Sequence, residues 1–177
     1  MWSIDDALYI KELTEEEYQS YTAHKGDEDV IMRLCSNVVQ TCSPEKLQAV
    51  KEKVDIIAER LNSVSRSFGL FDKEKYIGYV CFAEYDSNTP EIQIEISEEY
   101  RNRGIGYKAL TILIKEIFSQ RKDLQYFLYL VLADNIASIK LVEKLNGQRV
   151  EKGHFIEQFI KKYHIYNDDK KVAEATR

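Results

Sequence analysis

The residues whose types and spacing suit chemistry are concentrated in two adjoining stretches, Glu91-Ile92-Gln93-Ile94-Glu95-Ile96 and Arg101-Asn102-Arg103-Gly104-Ile105-Gly106. The second holds two cations and two glycines directly before an apolar-periodic run that starts at Tyr107. A turn of this kind, feeding a helix, aims unpaired backbone N–H groups and the positive end of a helix dipole at one point, which is what holding a phosphate requires. The N–H groups of residues 103–107 would form the cradle, with Gly104 and Gly106 letting the backbone approach because no Cβ intervenes. Arg101 and Arg103 either add fixed charge there or remain solvated surface cations. In the first stretch, alternation sets Glu91, Gln93 and Glu95 on one face of a strand and Ile92, Ile94 and Ile96 on the other. The isoleucines should pack on the core, leaving the carboxylates facing a cleft or solvent.

These residues need a scaffold, and the chain supplies recognisable elements on both sides. Residues 7–13 read as a strand. Thr14 and Glu17 form a capping box for a helix over 15–23, with Gly26 beyond it. A second helix is expected over 28–39, and a third opens with Ser43 and Pro44, its apolar face formed by Leu47, Val50, Val54, Ile57 and Leu61. Strands at 68–71 and 76–85 flank the charged turn Asp72-Lys73-Glu74-Lys75 and read as a hairpin. The strand at 91–97 precedes the glycine turn and a helix over 107–118. Residues 126–132 form a nearly continuous apolar strand, of the kind buried on both faces. A helix over 135–145 ends at Asn146-Gly147, residues 148–165 carry β-like stretches around a turn near Gly153, and 167–177 is a polar tail.

The 177 residues and their 44% hydrophobic content fit one domain with a real core. Cys35, Cys42 and Cys81 match no zinc or redox spacing and read as free thiols of a reducing cytoplasm. Asp5 and Asp6 stand where a leader would carry a basic stretch, and no apolar run is long enough for a bilayer, so neither secretion nor membrane insertion is expected. A net charge of -5 argues against a nucleic-acid partner and ranks a cationic, amine-bearing partner higher. Tyr107 and Lys108 follow Gly106, which lacks both the Lys-Ser/Thr of a nucleotide-hydrolysing loop and the third glycine of a dinucleotide fingerprint.

Strand, glycine turn, helix, buried strand and an Asn-initiated helix together resemble the GNAT superfamily of acyl-CoA-dependent N-acetyltransferases. Two ordered anchors carry the resemblance: Arg101-x-x-Gly104-x-Gly106, similar to the family's pyrophosphate pattern, and Asn135-Ile136-Ala137-Ser138-Ile139-Lys140-Leu141-Val142-Glu143-Lys144-Leu145, similar to its later helix. The resemblance implies an α/β (α+β) fold: a mixed, mostly antiparallel central sheet of about six to seven strands, flanked by helices and splayed at an acyl-CoA cleft. One domain would span 1–177, with an N-terminal strand and helices at 1–64, the cofactor-binding core at 65–150, C-terminal strands at 151–166 and the tail at 167–177.

The resemblance also implies roles. The strand bearing the carboxylates would splay from its neighbour at a bulge, and backbone groups near Ile94 and Ile96 would pair with a pantetheine arm. Arg101, Arg103, Gly104, Ile105, Gly106 and Tyr107 would hold the diphosphate of acetyl-CoA, with Asn135, Ser138 and Lys144 near the same cosubstrate and no metal involved. Asn135 and Ser138 also suit a helix N-terminus with no cofactor at all. Glu91 or Glu95 would take the proton of a substrate ammonium. Direct attack by the amine on the thioester needs no covalent enzyme intermediate, so Cys81 reads as a strand residue. Many family members carry a Tyr where this chain has Val142, which leaves Tyr129, Tyr163, Tyr166 or water to protonate the departing thiolate. Three readings follow: acetyl transfer to a primary amine of unspecified identity, a catalytically weak acyl-CoA sensor, and a toxin-like action on charged tRNA that the acidic balance disfavours. The C-terminal strands could also serve a homodimer.

Overall fold

The computed structural model describes residues 1–22, 43, 65–150 and 160–167. The two helices expected over 28–39 and from Ser43 onward, the Gly26 stop, the Gly153 turn, and the tail beyond Asn167 lie outside the described residues.

The described residues form one eight-stranded sheet, ordered β1-β2-β3-β4-β5-β6-β8-β7. Its strands are β1 (Trp2–Ser3), β2 (Leu8–Leu13), β3 (Arg66–Asp72), β4 (Lys75–Ala83), β5 (Glu91–Ile96), β6 (Tyr126–Leu132), β7 (Gln148–Val150) and β8 (Ile160–Tyr166). Three described α-helices accompany it: α1 (Glu15–Thr22), α2 (Ile105–Gln120) and α3 (Ile136–Lys144). All neighbouring strands are antiparallel except β5 and β6, the pair joined through α2. The strand beyond the expected number is β1. Two residues are too few to show a period, and the edge exists because Asp5 Oδ1 accepts from the N–H groups of Ala7 and Leu8, folding Trp2 back onto Ile10.

The capping box at α1 is formed: Glu17 N–H donates to Thr14 Oγ1 at 3.2 Å and Thr14 N–H donates to Glu17 Oε2 at 3.0 Å. α1 buries no residue and rests on the sheet through Tyr18 against Tyr79 and Tyr21 against Tyr76. α2 covers the opposite face. Its Leu110, Leu113 and Ile117 are fully buried, and Phe118 meets Phe127 of β6, which in turn meets Phe82 of β4. Removing Phe82 and Phe127 from water contributes roughly 2–3 kcal/mol each, which binds α2 firmly to the sheet centre.

Two local devices fix β5. At its start, the Arg121 guanidinium at the end of α2 donates to the carbonyls of Tyr85 and Ser87 and pairs with Asp123, fastening the turn before Glu91. At its end, β4 is irregular: Leu70 faces Gly78 while Phe71 faces Tyr76, so Ile77 is an extra residue. Gly78 has φ +153°, and a Cβ there would collide with the Glu95 carbonyl. That bulge turns Tyr76 toward the α1 side, beside Glu95. The signal for it is a glycine inside the strand pattern 76–85, although the hairpin reading makes no use of it.

Candidate active site

β5 ends in a short 3-10 turn, Glu98–Tyr100, and the chain then makes a tight entry into α2. Asn102 (φ 60°) and Gly104 (φ 74°) are both left-handed. Gly104 occupies the N-cap position with no side-chain cap, and the first helical hydrogen bond runs from Lys108 N–H to Gly104 O at 3.1 Å. The N–H groups of Ile105, Gly106 and Tyr107 therefore point out of the helix end with no acceptor among the described residues. A Cβ on Gly104 would meet nothing within 4 Å, so the front of the turn is open. These features fit a diphosphate.

The two glycines differ in purpose, which their spacing does not reveal. Gly104 supplies the left-handed turn. Gly106 faces inward: a Cβ there would lie 3.2 Å from Ile96 Cδ1 and 3.3 Å from Ile94 Cδ1, so its bareness lets the helix start settle on β5. The arginines differ as well. Arg101 donates from Nε to the Ile96 carbonyl at 2.8 Å, tying the turn to the strand end, while Arg103 lies over the Tyr100 ring at 5.1 Å, exposed beside the opening. Lys144, from the last turn of α3, sits 4.2 Å over the Tyr107 ring and so adds a cation at the same helix start. Lys144→Ala is expected to weaken binding of a diphosphate-bearing ligand at this turn roughly threefold, the scale of an exposed ion pair, with the loss shrinking at high salt in a calorimetric titration.

Next to this turn the sheet opens. β5 is paired along its length with β4, from Gly78↔Ile96 to Ala83↔Glu91, without a register shift. With β6 it pairs only at Glu91↔Leu128, secured by Leu128 N–H donating to Pro90 O at 2.9 Å. Beyond that apex the two parallel strands part. The separation needs no bulge in β5, contrary to the expectation; the bulge lies in β4 opposite β3. Because Pro90 directs its carbonyl toward β6 and backbone direction alternates, Ile92 N–H closes the bridge on the Leu128 carbonyl, and the Ile92 C=O and the N–H and C=O groups of Ile94 and Ile96 point into the gap. The Ile96 carbonyl is occupied by Arg101.

Register fixes what lines each side. Glu91, Gln93 and Glu95 share a face with Cys81 and Tyr79, the α1 side. Glu91 is only 5% exposed, so of the two settings its alternation allowed, open solvent is excluded. Glu95 is partly exposed, and its charge adds to the burial that pushes the neighbouring Tyr76 phenol far up. Ile92, Ile94 and Ile96 lie on the α2 side, as expected.

Tyr129 is also on that second side. It is buried, with its hydroxyl 2.7 Å from Ser138 Oγ on α3. Burial pushes the Tyr129 phenol above its usual range and the Ser138 bond pulls it partly back, so it stays protonated at neutral pH. The serine is held in turn, since Ser138 N–H donates to Asn135 Oδ1 at 3.1 Å. The Asn135 side chain is thus the cap of α3. Val142, one turn after Ser138, is fully buried. Tyr163 lies opposite Tyr129 with its hydroxyl 3.4 Å from Glu143 Oε1, and Tyr166 stands on the other face. Sequence reasoning missed the Tyr129–Ser138 pair, whose partners come from different elements.

Comparison with solved structures defines the class first. The chain has the fold of the acetyltransferase that modifies the N-terminal serine of 50S ribosomal subunit protein L7/L12 from Salmonella typhimurium (TM-score 0.57, 15% identity, 94% of this chain and 98% of that one). It is equally similar to the ribosomal-protein-S5-alanine acetyltransferase of Vibrio fischeri (0.58, 17%, 93% and 96%). A third likeness is to the spermidine N-acetyltransferase of Vibrio cholerae, solved with CoA and spermine (0.59, 18%, 92% and 96%). No curated protein matches the chain. The family known as the Acetyltransferase (GNAT) domain matches residues 7–148, most of the chain, and the protein belongs to that family as a GNAT-type acyltransferase.

Proposed function

We propose that the protein transfers the acetyl group of acetyl-CoA to a primary amine by direct attack within a ternary complex. The observation that carries this is the wedge between β5 and β6, which widens from the Glu91↔Leu128 apex toward the uncapped start of α2. Acetyl-CoA supplies an activated acyl group on a thiol leaving group. The helix start and Lys144 hold its diphosphate, and the edge of Ile92 and Ile94 offers hydrogen bonds to its amide-bearing arm. From Ile96 back to Glu91 the strand rises roughly 17 Å, so the reacting end lies near the apex when the diphosphate is at α2.

At the apex the two faces divide the work. Glu91, on the α1 side, takes a proton from the acceptor ammonium, and Glu95, nearer the opening, attracts that cation. Tyr129, on the other side and braced by Ser138, donates a proton to the departing thiolate. The relatives whose substrates are protein N-termini or spermidine point to the same acceptor chemistry here. Tyr129→Phe should lower kcat about tenfold with the KM for acetyl-CoA unchanged. The loss is modest because a thiol of pKa about 8.5 leaves without much help.

The test is thiol release from acetyl-CoA in the presence of Ser- and Ala-initiated peptides, spermidine and free amino acids. Release with any acceptor supports transfer. The second reading, an acyl-CoA sensor, is favoured by the buried valine at position 142, and saturable binding with no release from any acceptor would establish it instead.

A further inference from the structure

In a chain whose net charge is -5, the turn into α2 is surrounded by Lys75, Arg101, Arg103, Lys108 and Lys144, and all but one of these cations already have a task. Lys75 pairs with Glu99. Arg101 is committed to the Ile96 carbonyl, Lys108 lies within electrostatic reach of Asp5, and Lys144 adds its charge at the start of α2. Arg103 differs. It donates no hydrogen bond and meets no carboxylate among the described residues, and its guanidinium rests over the ring of Tyr100.

That ring is a fixed seat. Tyr100 closes the 3-10 turn, its N–H donating to the Ser97 carbonyl at 2.9 Å and its hydroxyl to Asp72 Oδ2 at 3.0 Å. Its partly buried ring packs against the core, and Lys75 Nζ lies 5.2 Å from the same ring centre. The left-handed Asn102 then brings the chain back, so that Arg103 reaches the ring three residues behind it. A guanidinium that is already seated loses less freedom on meeting an anion than a solvated one, and its planar fork matches a phosphate through two parallel N–H donors.

The diphosphate does not need this group, because the N–H groups of Ile105, Gly106 and Tyr107 and the charge of Lys144 face it already. CoA carries another phosphate, a monoester on its ribose with about two negative charges at neutral pH. With the thioester at the apex of the wedge, the nucleoside end of the molecule emerges at the wide end, beside the turn. Arg103 stands there, two residues before Ile105, a chain distance of at most about 7 Å.

Building on the acetyl-transfer reading, we propose that Arg103, seated on Tyr100, binds the ribose phosphate of the donor and makes the protein select CoA thioesters over thioesters of dephospho-CoA. Arg103 takes no part in the chemical step. It decides which donor is held and leaves the acceptor side untouched.

The experiment is a set of calorimetric titrations of the full chain with acetyl-CoA and with acetyl-dephospho-CoA at about 0.1 M salt. The unaltered protein should bind acetyl-CoA about tenfold more tightly than its dephospho analogue. In R103Q the two ligands should bind within about twofold of each other, with the affinity for acetyl-dephospho-CoA unchanged. K144A should weaken both ligands alike and preserve their ratio, since its charge faces the diphosphate that they share. Equal affinities in the unaltered protein, or a tenfold ratio that survives in R103Q, would overturn the assignment of Arg103 while leaving the donor site and acetyl transfer intact. No binding of acetyl-CoA to the unaltered protein would overturn both.

Discussion

Glu91→Gln is expected to lower kcat about 100-fold, a barrier increase of about 2.7 kcal/mol, with little change in acetyl-CoA affinity. The amide keeps the volume of the buried side chain, so the sheet is spared and the loss reports chemistry. Glu91 is preferred over Glu95 on position. Glu95 adjoins Ile96 at the wide end of the wedge, beside the diphosphate turn, whereas Glu91 stands roughly 13 Å further along the strand, at the apex. Glu95→Gln should instead raise the acceptor KM several-fold, because a partly exposed carboxylate near Tyr76 attracts the cation before reaction. Steady-state kinetics on the two variants separates these roles. A large kcat loss in Glu95→Gln with none in Glu91→Gln would exchange the assignments.

Gly106→Val should reduce kcat/KM for acetyl-CoA by at least about 100-fold, through binding and not through the chemical step. Even a bare Cβ would press on Ile96 and Ile94, so the neighbours must give way by a few tenths of an ångström, and Leu141 lies 3.5 Å off. A branched side chain lifts the start of α2 from β5 and misaligns the N–H groups of Ile105, Gly106 and Tyr107. Overpacking of this kind also costs about 1–3 kcal/mol of stability, visible as a lower urea midpoint. Gly104→Asn offers a contrast. Its Cβ position is open, and asparagine tolerates the left-handed conformation, so both fold and binding should suffer far less.

Much of this arrangement is legible in the residues because it is local. The capping box at Thr14, the apolar strand at 126–132, the helix entered through Asn135 and the turn after β5 are each set by neighbours a few positions away, and all are formed. The parallel pairing of β5 with β6 follows from the same succession. What alternation could not supply is depth. It put Glu91 and Glu95 on one face, yet only the packing above that face makes one buried and the other partly exposed. Gly106 was legible as a bare backbone position, but its closeness to Ile94 and Ile96 depends on how α2 crosses the sheet. Tyr129 and Ser138 meet for a similar reason, one from a strand and the other from a helix.

The most direct test of the central claim is a calorimetric titration of the unaltered protein with acetyl-CoA. Saturable binding at one site per chain, weakened at least about 100-fold in Gly106→Val, is the predicted result. Absence of binding, or binding that Gly106→Val leaves unchanged, would contradict the assignment of the turn before α2 as the acyl-CoA site.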